Sequence, residues 1–108
     1  MTERREIIEY CLTLPRAYED YPFDDINWTV MRREDSRRGF AWIFKKDGLI
    51  WVNVKAAPDW ALFWADMFPS VQPGYHMNKK HWVSIILDGS VPDKEIIHMI
   101  NDSYELCK

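Results

Sequence analysis

Apolar residues recur at helical spacing in TERREIIEYCLTL, where Ile7, Ile8, Cys11, Leu12 and Leu14 form one stripe among charged positions. Thr2 stands where an N-cap belongs, Glu3 and Glu6 favour the positive end of a helix dipole, and Pro15 ends the segment. Residues 15–26, PRAYEDYPFDDI, hold two Pro, four acids and three aromatics without a sustained period, which predicts an ordered loop. The period then shortens. NWTVMRR, GFAWIFKK and LIWVNVKA are rich in β-branched and aromatic residues and are separated by EDSRR and by Asp47-Gly48, a pair suited to a tight hairpin turn. These predict a three-stranded antiparallel meander.

Pro58 opens a second helical segment, PDWALFWADMF, with Trp60 and Trp64 on one face and Pro69 at its end. One further strand, WVSIILDG, follows the stretch PGYHMNKKHW at residues 73–82, and DKEIIHMINDSYELC closes the chain as a helix with Ile96, Ile97, Ile100 and Leu106 as its stripe. The predicted order is α-β-β-β-α-β-α. With helices and antiparallel strands largely segregated, this is the α+β class in one domain spanning residues 1–108.

Composition narrows the possibilities. The chain has 108 residues, 47% hydrophobic and 29% charged, enough apolar surface to fold without a metal or disulfide framework. Cys11 and Cys107 stand near opposite ends and are expected to be reduced packing residues. The first residues carry charge where a signal peptide needs an apolar run, and no stretch has the length of a membrane span, so a cytoplasmic monomer is expected. The net charge of -3 is unevenly spread: residues 1–26 carry -4, residues 27–87 carry +4 and residues 88–108 carry -3. A local anion-binding face is compatible with this, and a uniformly basic nucleic-acid binder is not.

Four separated stretches resemble the MmcQ/YjbR family: LPRAYEDYPF at residues 14–23, Val52-Asn53-Val54-Lys55, PGYHMNKKHW at residues 73–82 and LDGSVPDKEI at residues 87–96. The resemblance covers essentially the whole chain. It implies a small α+β domain similar to CyaY and frataxin, described as a double wing, and a DNA-binding role.

DNA binding needs cations beside phosphates and, for single strands, exposed rings for stacking. Candidates for nucleic-acid or ligand binding are Arg32, Arg33, Arg37 and Arg38 around the first hairpin turn, Lys55, and Tyr75, His76, Asn78, Lys79 and Lys80 in the 73–82 segment, with Lys45 and Lys46 at the second turn. Charges at hairpin ends are more often plain solvated surface, and Glu34 and Asp35 dilute the arginines. Phe40, Trp42 and Phe44 alternate onto one face of their strand, while Trp51, Asn53 and Lys55 share a face of the next. The 73–82 segment concentrates the most chemistry, with Lys55 as its expected partner, although Tyr75 and Trp82 are equally suited to anchoring it inward.

No cofactor or metal is expected. His76 and His81 are separated by four intervening residues in a loop, His98 lies on another element, and no Cys or acid completes a ligand spacing. Neither a Gly-flanked Ser elbow nor a Gly-rich phosphate loop is present, so a non-enzymatic module is expected. Its partner is expected to be DNA, bound weakly and non-specifically, with a protein or small-ligand interaction domain as the alternative.

Overall fold

The computed structural model describes all 108 residues. It contains α1 (Arg4–Leu12), β1 (Ala17–Asp20), β2 (Thr29–Arg33), β3 (Gly39–Lys46), β4 (Leu49–Lys55), α2 (Pro58–Met67), β5 (Val71–Pro73), β6 (Trp82–Ile86) and α3 (Asp93–Leu106). The predicted order holds, with two short strands added at the margins. All six strands form one antiparallel sheet in the order β1-β2-β3-β4-β6-β5.

The added strands occupy the two edges. β1 lies inside the expected loop, where Tyr18 pairs across to Arg32 and Asp20 to Val30. Its residues are all half-buried, so no alternation marks it. Edge strands of this kind, short and charged, resist pairing with other chains. β5 has three residues and ends on Pro73, a residue tolerated only where no ladder donor is needed.

One face of the sheet carries the core. Met31, Ala41, Ile43, Val52, Val54, Val83 and Ile85 point toward Ile7, Ile8 and Cys11 of α1 and Ile96, Met99 and Ile100 of α3. Ala61 and Trp64 bring α2 onto the same cluster, leaving Trp60, Leu62, Phe63 and Met67 exposed on its outer side. The α1 start differs from expectation: the Glu6 carboxylate accepts the backbone N–H groups of Thr2 and Glu3, at 3.1 and 3.2 Å, and Glu3 is the N-cap. A reaching carboxylate thus replaces the expected Thr2 hydroxyl. No helix is long and apolar enough to cross a membrane.

Two turns shape the opposite face. Asp47 and Gly48 have φ of 54° and 79°, the paired positive values of the tight hairpin turn that their sequence predicts. Between β2 and β3 the register shifts, with Met31 opposite Ala41 but Arg32 opposite Gly39. Phe40 is therefore the extra residue of a β-bulge. It joins the helix-side core, edge-to-face against Tyr104 at 5.3 Å, and does not share a face with Trp42 and Phe44 as simple alternation predicts.

Candidate binding site

Trp42 and Phe44 of β3, Trp51 and Asn53 of β4 and Ser84 of β6 point away from the helices, and two loops fold over them. Residues 21–28 form the first. Trp28 stacks on Phe44 with centroids 4.3 Å apart and an interplanar angle of 22°. Asn27 fixes this loop to the sheet: its side chain accepts the Lys45 N–H at 2.8 Å and donates to the Lys45 carbonyl at 3.0 Å. Arg4 of α1 completes the attachment by donating to the Asn27 carbonyl at 2.7 Å, to its Oδ1 at 3.0 Å and to the Ile43 carbonyl at 3.1 Å.

Residues 74–81 form the second loop, fastened from beneath by two buried polar side chains. Asn53 donates to the Tyr75 carbonyl at 2.8 Å, Ser84 Oγ accepts the Tyr75 N–H at 2.8 Å, and the Ser84 hydroxyl donates to Asn53 Oδ1. Each bond satisfies a group that burial would otherwise leave unpaired. The Tyr75 ring stacks on Phe44 at 5.6 Å. Gly74 is required by close approach: a Cβ there would lie 2.7 Å from Trp82 Cβ.

A cleft of about 330 Å³ opens between the two loops, lined by Phe23, Asp25, Trp28, Trp42, His76 and Met77. Its floor depends on Gly39. A Cβ at Gly39 would meet Val30 at 2.6 Å and the Trp42 indole at 2.9 Å, while the indole N–H donates to the Gly39 carbonyl at 3.2 Å. The missing side chain leaves the indole room to sit against the Gly39 backbone. Phe23 stands at 80° to Trp28 and 35° to Trp42, with centroid separations of 6.3 and 6.4 Å, so the rings face the cleft from different directions.

A family model described as YjbR matches residues 12–106. The chain belongs to the YjbR family. It is similar to YjbR of Escherichia coli (strain K12), 32% identical over 93% of this chain and 82% of that one, and to YbdF of Escherichia coli O157:H7, 39% identical over 87% and 80%. Among solved structures, the Deinococcus radiodurans protein DR2400, with a DUF419 domain, superposes with a TM-score of 0.89 at 31% identity, covering 98% of this chain and 78% of that one. A Pseudomonas syringae protein gives 0.85 at 26% identity over 98% and 99%.

Within this YjbR domain the expected binding residues do not form one surface. Arg33 is a correction: it is buried on the helix side, donates to Asp35 at 2.8 and 3.0 Å and to the Tyr104 carbonyl at 2.9 Å, and lies 4.1 Å from the Tyr104 ring. It braces α3, and its burial and its pairing with Asp35 keep it from serving as a surface phosphate contact. Arg32 pairs with Asp20 at 2.8 Å and donates to the Arg37 carbonyl. Arg37 and Arg38 are exposed at the turn, free of ion pairs. Asn78 caps its own loop, accepting the Lys80 N–H at 2.9 Å, and Lys79 donates to the Gly74 carbonyl. Lys80 is exposed, and Lys55 lies across the ladder from Trp82, away from the cleft lining.

Of the residues singled out in the sequence, His76 lines the cleft and Tyr75 supports it. Met77 belongs to the same 73–82 segment, whereas Phe23, Asp25 and Trp28 were not among the expected binding residues. The one sequence signal for Phe23, Asp25 and Trp28 is the aromatic and acidic run PFDDINW, which has no period and so resembles an ordinary loop. Both thiols are buried; burial pushes Cys11 up to about 12 and raises Cys107, which disfavours the reactive thiolate. No three His, Cys, Asp or Glu side chains converge as metal ligands.

Proposed function

We propose that this YjbR domain is a non-enzymatic binding module that receives an apolar or flat ligand group in the cleft between residues 21–28 and 74–81. The observation that carries this reading is the cleft itself: three aromatic side chains, a Met and two polar groups converge around about 330 Å³. An apolar lining with a few placed polar groups is the usual composition of a ligand site. Supporting it, both loops are tied to the sheet by Arg4, Asn27, Asn53 and Ser84, so the rings are positioned before any ligand arrives.

Single-stranded DNA is a second reading, favoured by the stacking rings and by the unpaired Arg37, Arg38 and Lys80. Two features weaken it. Asp25 lines the cleft without an ion-pair partner, Asp24 is exposed next to it in the chain, and Arg16, Arg32 and Arg33 are each committed to a carboxylate. The domain therefore lacks a continuous cationic track. Titrations of labelled single- and double-stranded DNA at low salt, set against indole as a flat neutral probe, separate the readings. The cleft reading expects indole to perturb Trp28 and Trp42, and any DNA binding to be weak and abolished by salt. Tight DNA binding that persists at 0.2 M salt would favour the second reading.

A further inference from the structure

We propose that the cleft is a cation site, taking an alkylammonium head group between its aromatic faces and Asp25. This rests on the reading of the cleft as the binding site and names the ligand chemistry. Aromatic faces carry the negative part of the ring quadrupole, and several of them around one space attract a diffuse cation such as a quaternary ammonium. Phe23, Trp28 and Trp42 supply three such rings, two of them at 80° to one another. A volume of about 330 Å³ far exceeds the roughly 30 Å³ of a water molecule, which leaves room for a compact head group.

The charges around the cleft have the matching sign. Asp25 is the one formally charged side chain in the lining, and no Lys or Arg lines it. Its Oδ1 accepts the Asn27 N–H at 2.9 Å, and it enters no salt bridge. Asp24 adds a second unpaired acid beside it. Arg4 feels the Asp25 charge but forms no ion pair with it, its two terminal nitrogens donating to Asn27, Thr29 and the Ile43 carbonyl. An anionic group entering here meets the Asp25 carboxylate with no Lys or Arg in the lining to offset it, and a neutral ring partly desolvates that carboxylate without giving it a partner. A cation relieves both costs.

The chain already uses this surface for its own cations. The Arg32 guanidinium lies 5.7 Å from the Trp42 ring, and the Lys46 ammonium lies 5.0 Å from Trp51 and 5.4 Å from Tyr75.

The test titrates the full chain with choline chloride and, separately, with 3,3-dimethylbutan-1-ol, the neutral carbon isostere of choline, at matched ionic strength, following the indole N–H signals. Choline is expected to move the Trp28 and Trp42 signals saturably with Kd on the order of 1 mM, and the alcohol to bind about tenfold more weakly. Asp25→Asn keeps an oxygen for the Asn27 N–H; it is expected to weaken choline several-fold and leave the alcohol unchanged. Equal affinity for the two probes, or choline binding untouched by Asp25→Asn in a variant of unchanged melting temperature, overturns the cation assignment while the cleft reading stands. If choline, the alcohol and indole all leave Trp28 and Trp42 unmoved, the cleft reading falls with it.

Discussion

His76 adopts φ of 61°, a left-handed backbone that is uncommon for any residue but Gly, and its ring rests on Tyr75 with centroids 4.0 Å apart. It is exposed. A residue held there at a conformational cost fits a role in the cleft wall better than one in the brace beneath it. His76→Gly is therefore expected to raise stability by about 0.5 kcal/mol while weakening ligand capture, seen as a higher urea midpoint alongside a lower indole affinity. Gly39 gives the opposite result. Gly39→Ala forces a Cβ against Val30 and the Trp42 indole, and is expected to cost about 1–3 kcal/mol and to displace the Trp42 N–H signal. Trp42 was legible in the sequence as one member of an aromatic stripe, but its dependence on Gly39 was not, because three residues of chain separate a contact that only the bulged backbone creates.

At the scale of elements, the strands with strong alternation and the Asp47-Gly48 turn were legible because local chemistry and packing agree there. β1 and β5 were not, since edge strands of four and three residues are defined by their partners. The bulge at Phe40 escaped for a related reason: strict alternation puts Phe40 with Trp42, and one inserted residue reverses its face. The link from β6 to α3 turns on Asp88, whose carboxylate accepts hydrogen bonds from the Ser70 hydroxyl, the Ser90 hydroxyl at 2.6 Å and the Ser90 N–H at 3.0 Å. Ser70 first, then Ser90, holds this carboxyl below the usual range. A lowered folded value means that the stabilisation is present above the unfolded carboxylate pKa and is lost as pH falls through the folded one. The stability difference between the wild-type chain and Asp88→Asn is thus expected to hold near pH 7 and narrow below about pH 4, measured as melting temperature against pH. A difference that stays constant down to pH 2 contradicts this role.

For the whole molecule, the basic middle of the sequence does not become a basic face. Folding commits Arg32 to Asp20, Arg33 to Asp35 and Arg16 to Glu34, and leaves Arg37, Arg38 and Lys80 as separate charges. Charge counted along the chain cannot show such pairings. The cleft was equally hidden, because Phe23, Trp28, Trp42 and His76 come from a loop, a strand and a second loop, and only the sheet brings them together. Asn53 was legible as a polar residue on a Trp-bearing face, and its burial beneath the second loop explains why it stands there. Binding is expected on this face and not at the arginine turn or on the exposed side of α2. Five of the six Trp residues report on two of these regions, with Trp28 and Trp42 at the cleft, Trp51 beside it, and Trp60 and Trp64 on α2, while the arginine turn is followed by its backbone signals. The most direct measurement is a map of ¹⁵N–¹H shifts, indole and backbone together, during titration with indole. Saturable shifts are expected at Trp28, Trp42 and the backbone of His76 and Met77, with Trp60, Trp64, Arg37 and Arg38 unmoved. Shifts confined to Trp60 and Trp64, or to the arginine turn, would contradict binding on this face.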